Sequence, residues 1–120
     1  MARTTLPVTT LARTGVANPA VTTGTVDGHK VVNNGRVWLE FNNSNASARV
    51  VTIQTPATLG PFAIEDQIIT IPGSAQLFRA GPFEPTYFNR PSGVTDAGMF
   101  YLDYPVGQHA DISVRAFQIP

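Results

Sequence analysis

The chain of 120 residues contains no cysteine, and only 13% of its residues are charged. The absence of cysteine excludes disulfide frameworks, cysteine-ligated zinc and thiol catalysis. Eight basic residues balance eight acidic residues, and no run of like charge occurs, whereas binding to nucleic acid normally requires a basic patch. We therefore expect no nucleic-acid partner.

Long apolar stretches are also missing. No segment approaches the roughly 20 apolar residues that a membrane span requires, and a neutral chain gains little from an anionic membrane surface. The first residues, MARTTLPVTTLARTG, lack the apolar core of a signal peptide. We therefore expect no membrane partner and synthesis in a cytoplasm.

Short strand-like runs fill the chain after residue 28. They are HKVV, RVWLEFN, ARVVTIQT, QIITI, AQLFRA, MFYLDY and DISVRAFQI. Gly, Pro and Asn separate them, ATLGPFA is typical of a loop, and the only helical signal is a turn in GPFAIEDQ. Residues 29–120 are predicted to form an all-β domain, an antiparallel β-sandwich or a jelly-roll-like barrel.

Two turns are predicted to join neighbouring strands. Asn-Asn-Gly at residues 33–35 favours a tight hairpin between HKVV and RVWLEFN, and Pro72-Gly73 favours a turn between QIITI and AQLFRA. Alternation along RVWLEFN places Val37 on one face and Trp38 on the other. Trp38 is then either an exposed contact residue or a residue that another segment covers, such as the N-terminal arm.

Residues 1–28 have a different composition from the rest of the chain. They contain eight threonines but only three charged residues, which predicts an extended N-terminal arm. Leu6, Val8 and Leu11 favour a short edge strand within it. We expect the arm to reach a neighbouring chain by strand addition, and deletion of residues 2–27 to leave a folded domain.

The sequence offers little for catalysis. His29 lies two positions after Asp27, and His109 lies two before Asp111, a spacing that places both side chains of a pair on one face of a strand. Their polar surroundings favour solvated turns at strand ends. The adjacent acidic pair at residues 65–66 lies in a short loop before QIITI and favours a solvated turn, and no Gly-x-Ser-x-Gly elbow is present. We therefore predict no enzymatic activity, no metal site and no cofactor.

The segment RAGPFEPTYFN at residues 79–89 concentrates aromatic residues between prolines. Prolines interrupt helices and interior strands, so this segment is predicted to be a stiff loop. Stiffness lowers the entropy cost of presenting aromatic side chains to a partner. Phe83 or Tyr87 alternatively folds back over the open end of the sandwich, whereas Phe88, beside Asn89 and Arg90, is the preferred contact residue.

The order of several segments resembles that of small β-sandwich virion proteins of tailed bacteriophages. These segments are GHKVVNNGRVWLEFNN, ARVVTIQTP, ITIPGSAQLFRAGPFEPTYFN, FYLDY and ISVRAFQIP, between residues 28 and 120. The resemblance implies a virion structural protein, most directly a capsid decoration (cement) protein on the outer surface of the major capsid lattice. A tail or head–tail connector component is the alternative, and a carbohydrate-binding β-sandwich module is a further one.

The expected partners are the capsid lattice and other copies of this chain, for example in a trimer. A surface poor in charge tolerates close packing against neighbours, and many weak contacts act together on a lattice. The predicted interface comprises Arg3, Leu6, Val8, Leu11, Arg13, Trp38, Phe83, Tyr87, Phe88 and Arg90.

Overall fold

The computed structural model describes residues 3–74 and 77–120. In chain order, its strands and helices are β1 (Thr4–Thr5), β2 (Val8–Thr10), β3 (Thr22–Thr23), β4 (His29–Val32), β5 (Val37–Asn43), β6 (Arg49–Ile53), β7 (Thr58–Leu59), β8 (Phe62–Ala63), β9 (Gln67–Ile71), β10 (Phe78–Ala80), the helix α1 (Pro85–Phe88), β11 (Met99–Asp103), a 3-10 turn (His109–Asp111) and β12 (Ile112–Gln118).

Two sheets of five strands pack face to face in the described part of the chain. Sheet A has the order β1-β4-β11-β6-β9, and sheet B has the order β10-β5-β12-β2, with β3 also paired to β12. Neighbours are antiparallel except for β1 with β4 and β2 with β12, which are parallel. The predicted all-β class is confirmed, and its form is a sandwich with open edges.

Alternation along the strands builds the core between the sheets. In β5, Val37, Leu39 and Phe41 point inward and are fully buried, and β11 contributes Phe100 and Leu102 in the same way. Strands β6, β9 and β12 add further β-branched side chains to this layer. The alternation predicted for RVWLEFN is confirmed, because a period of two is a local property of the strand.

The hairpin predicted at residues 33–35 is wrong. Strand β4 belongs to sheet A and β5 to sheet B, so the chain crosses the sandwich here. The side-chain Nδ2 of Asn33 donates to the Phe83 carbonyl at 2.9 Å and to Asn89 Oδ1 at 2.8 Å. Of the three turn residues, only Gly35 has a positive φ, of 85°, whereas the usual two-residue hairpin turn requires two such residues.

The pairing predicted across Pro72-Gly73 is also wrong. Strand β9 pairs with β6 in sheet A, whereas β10 pairs with β5 in sheet B. The described strand begins at Phe78, and the first two residues of AQLFRA, at positions 75 and 76, lie outside the described residues. Strands β9 and β10 consequently end their sheets on the same side of the sandwich, which we call the open side.

The N-terminal segment lies on the body of the protein. Strands β1 and β2 pair with β4 and β12, one in each sheet, and Leu6 between them is only 1% exposed. This segment therefore closes the side opposite the open side. The expectations of an arm free to reach a neighbour, and of a folded domain after its removal, need correction because Leu6 is part of the core.

Two local predictions also differ from the structure. The segment ATLGPFA contains the small hairpin β7–β8 instead of a loop, so the helical turn predicted in GPFAIEDQ is not found there. Helix α1 forms within the aromatic segment, although no helix was predicted in it. Pro85 stands in the first turn of α1, where its missing N–H costs no hydrogen bond.

Candidate functional site

Three shallow grooves meet at Pro82 beside the open side. The first is lined by Gln67, Ile69 and Tyr87, the second by Trp38 and Arg79, and the third by Trp38 with the C-terminal residues; Pro82 lines all three. The side chains shared among these grooves are mostly aromatic or apolar. We call this area the Pro82 surface and define it as Trp38, Pro82, Tyr87, Phe88, Ile119 and Pro120.

Trp38 points outward from β5 and forms the centre of the Pro82 surface. Its ring is stacked on Phe117, with centroids 4.7 Å apart and an interplanar angle of 23°. The guanidinium of Arg79 lies 5.8 Å from its ring centroid. Trp38 is half-buried and lines two grooves. It is therefore neither fully exposed nor covered by another segment, the two alternatives that the sequence left open: its ring is held in place, and part of it remains accessible.

The aromatic loop is held against β5 by a close backbone approach. Gly81 has φ of 130°, and a Cβ atom at this position would lie 2.9 Å from the Trp38 Cα. Glycine is therefore required here, because a side chain would clash and the φ angle is unfavourable for other residues. This contact places Pro82 directly beside Trp38.

Phe83 anchors the loop from inside. It is 4% exposed, and its ring centroid lies 5.0 Å from that of Phe100 and 5.4 Å from that of Phe88. Tyr87, in contrast, is 45% exposed. The sequence left open whether Phe83 or Tyr87 folds back over the sandwich, and the structure shows that Phe83 does. The prediction that Phe83 belongs to the partner interface is therefore wrong.

The C-terminal residues complete the surface. The Ile119 N–H donates to the Arg36 carbonyl at 3.2 Å, and an Arg36 guanidinium nitrogen donates to the Pro120 carbonyl at 2.8 Å. Leu11 and Arg13 line a further groove with Ile119 and Pro120, so they adjoin the Pro82 surface. The sequence reasoning missed Pro82, Ile119 and Pro120, since only non-local contacts bring them together.

The predicted interface residues thus divide between three places. Trp38, Tyr87 and Phe88 belong to the Pro82 surface, and Leu11 and Arg13 adjoin it. The other residues lie elsewhere. Leu6 and Phe83 are buried core residues and Val8 is packed against the core, whereas Arg3 and Arg90 lie on the outer face of sheet A.

A charged cluster surrounds Tyr101 on that outer face. The guanidinium groups of Arg3 and Arg90 lie 4.1 Å and 4.8 Å from its ring centroid. The Tyr101 hydroxyl donates to Asp96 at 2.6 Å, and Lys30 forms an ion pair with the same carboxylate at 3.0 Å. The hydrogen bond from Tyr101, followed by that from Lys30, holds the pKa of Asp96 below its usual value. The cluster ties together β4, β11 and the loop before β11.

Glu40 is the buried charge nearest to the Pro82 surface. It is 6% exposed and accepts from Arg115 at 2.9 Å and from Arg79 at 3.2 Å. It lies on the outer face of β5, where the two arginines cover its carboxylate. Because both carboxylate oxygens are paired, this group is a structural crosslink between β5, β10 and β12.

His29 is a core residue and not part of a solvated turn, which corrects the expectation for this histidine. Its Nδ1 lies 2.7 Å from the Tyr104 hydroxyl, and the ring is fully buried. Burial, with a smaller effect of the Arg3 charge, lowers the pKa of His29, and burial raises the pKa of Tyr104.

Residues 3–74 and 77–120 contain no group of three His, Asp or Glu side chains placed to hold a metal ion.

No protein-family model matches this chain, and no curated protein or solved structure matches it significantly. In the described residues, no helix is long and apolar enough to cross a bilayer.

Proposed function

We propose that this chain is a structural protein of a tailed-phage virion, most directly a capsid decoration protein that binds the outer surface of the major capsid lattice through its Pro82 surface. The resemblance in segment order supports the virion assignment. We choose the Pro82 surface because three apolar grooves meet there. In this account the protein acts by burying surface and not by chemistry.

The composition of the Pro82 surface suits binding to another protein. Tryptophan and tyrosine contribute most often to the strongest contacts in protein interfaces. Trp38 is held by its stack on Phe117 and Pro82 is conformationally restricted, so little side-chain entropy is lost on binding. Because these groups are already held in place, the binding free energy of the surface should be favourable although the grooves are shallow.

Low charge favours packing on a lattice. Only 13% of the residues are charged, and Glu40, the buried carboxylate beside Trp38, is already paired within the chain. Few ionic groups would therefore lose hydration without a partner when the surface is covered. Many copies bound to one capsid would add stability even if each contact is weak.

Binding to undecorated capsids of the parent phage tests this proposal. Wild-type protein should bind at a fixed ratio to the capsid subunits, and Trp38→Ala and Tyr87→Ala should weaken binding by about tenfold or more. Leu59→Ala is a matched control, because Leu59 is an exposed apolar residue of the β7–β8 hairpin and lies outside the Pro82 surface. Binding to tails or portals in place of capsids would move the protein to the alternative position, a tail or connector component.

A carbohydrate-binding module is the second candidate, favoured by one observation. Trp38 has one face packed on Phe117 and lines two open grooves, and sugars commonly stack on such supported aromatic rings. A glycan array distinguishes the two functions. Binding that disappears with Trp38→Ala, without any affinity for capsids, would replace the virion proposal.

A further inference from the structure

Strand β9 is the least protected strand edge among the described residues. The other strands at sheet edges, β1, β2, β3 and β10, are two or three residues long, whereas β9 has five residues. Its sequence, QIITI, contains neither charge nor proline. Short length, charge and proline are the usual devices that prevent strand edges from pairing with other chains, and β9 uses none of them.

The hydrogen bonding of β6 identifies the free backbone groups of β9. The Gln54 N–H donates to the Tyr101 carbonyl of β11, so alternate residues of β6 face β11 and the others face β9. In the observed register, Val51 is opposite Ile69 and these two residues face each other. The N–H and C=O groups of Ile68 and Thr70 consequently point away from β6.

One of these groups, the Ile68 carbonyl, already accepts a hydrogen bond from a side chain of the same strand. The Gln67 side-chain amide donates to the Ile68 carbonyl at 3.2 Å, a bond that an incoming strand can replace. Ile68 is 61% exposed, and its neighbours on the outer face, Val50, Thr52 and Thr70, are all uncharged. The edge therefore offers unpaired backbone groups beside a neutral, partly apolar row.

We propose that β9 is a self-association site, at which two copies of this chain pair edge to edge and antiparallel. A two-fold axis at Ile69 places Ile68 opposite Thr70 of the partner chain, and the free groups of both residues then form hydrogen bonds in the regular antiparallel pattern. No charged side chain of β9 opposes a like charge across this axis. The two A sheets become one continuous sheet across the dimer.

A second copy fits this edge better than an unrelated strand for a reason of symmetry. The two-fold axis places the free groups of Ile68 in each chain opposite those of Thr70 in the other chain. The edge is therefore complementary to its own copy. The pair is closed, which gives a dimer and not the trimer considered from the sequence. Gln67 and Ile69 also line one of the three grooves that meet at Pro82, so the dimer contact lies beside the Pro82 surface of each copy. The dimer does not depend on the identity of the lattice.

Sedimentation or light scattering over a range of concentrations tests the proposal with the purified full chain. Wild-type protein should reach the mass of two chains, and Thr70→Lys should have the mass of one. Thr5→Lys is the matched control, because it adds the same charge to the exposed strand at the other edge of sheet A and should remain a dimer. Unchanged circular dichroism must accompany each variant, and Thr70→Pro provides a second disruption if Thr70→Lys fails to fold.

Hydrogen exchange locates the interface independently. The amides of Ile68 and Thr70 should become protected as the concentration rises, whereas the amides of β1 should not change. A wild-type protein that stays a single chain at its solubility limit would overturn the proposal. A dimer that survives Thr70→Lys, or one that leaves these amides unprotected, would overturn it equally.

Discussion

Trp38 and Phe117 form a stacked pair on the outer face of sheet B, directly opposite each other in the register of β5 and β12. Phe117 is 4% exposed and supports the indole from one side. Aromatic pairs across strands contribute to sheet stability in addition to any role in binding. Trp38 therefore has two measurable roles, one within the sheet and one at the Pro82 surface.

Trp38 is the only tryptophan in the chain, so tryptophan emission of this chain, obtained by subtracting the emission of capsids alone, reports on the Pro82 surface. We expect its emission to shift to shorter wavelength, and its quenching by acrylamide to fall, when protein binds to capsids. The reason is that binding excludes water from the exposed edge of the ring. Emission that is unchanged at saturated binding would show that another surface meets the lattice.

Phe83 and Tyr87 should respond oppositely to truncation. Phe83→Ala removes a core ring that packs on Phe100 and should lower the free energy of unfolding by about 3 to 5 kcal/mol. Tyr87→Ala removes an exposed ring and should change it by less than about 0.5 kcal/mol. Urea unfolding measures both. Equal losses in the two variants would contradict the assignment of Phe83 to the core and Tyr87 to the surface.

Leu6 should be essential to the folded domain although it lies near the N-terminus. Leu6→Ala leaves a cavity between the two sheets, and we expect a loss of about 2 to 5 kcal/mol. Leu59→Ala is the control, since Leu59 is 75% exposed and its truncation should be nearly neutral. Deletion of residues 2–10 should destabilise the protein further, because it removes β1, β2 and Leu6 together. Wild-type stability after this deletion would contradict the observed packing.

Stability should fall on mild acidification because of His29. Its pKa is lowered in the folded protein from an ordinary value of 6.5, so the unfolded chain binds a proton that the folded chain does not. Stability is therefore complete above the unfolded pKa and decreases as the pH falls below it, until the lowered folded pKa is reached. Thermal unfolding from about pH 8 to about pH 5.5, where carboxylates remain largely ionised, measures this slope.

His29→Gln is the matched variant for this pH dependence. Glutamine retains a polar group near the Tyr104 hydroxyl but does not titrate. The decrease between these pH values should become shallower than in the wild type, whatever the absolute stability of the variant. A slope equal to that of the wild type would assign the effect to other groups.

The sequence predicted local structure well and strand pairing poorly. The alternation in RVWLEFN predicted which side chains of β5 point inward, because it depends only on neighbouring residues. The prediction of a hairpin at residues 33–35 was wrong because the Asn33 side chain binds Phe83 and Asn89, which lie 50 and 56 residues away in the chain. No local signal distinguishes a turn within a sheet from a crossing between sheets.

The candidate site was predicted in part for the same reason. Trp38 and Tyr87 were selected as large aromatic residues in suitable local settings, and both lie at the Pro82 surface. Leu6 was assigned to the interface as part of a short edge strand in the N-terminal arm, yet it is buried between the two sheets. His29 was similarly placed in a turn because its partner, Tyr104, is distant in sequence.

A reconstruction of the intact parent virion by electron microscopy, with this chain fitted into its density, tests the central claim most directly. We expect copies of the sandwich on the outer surface of the capsid, with Trp38, Pro82 and Tyr87 facing the major capsid protein. Density for the chain at the tail or connector, or on the capsid with these residues turned toward solvent, would contradict the account.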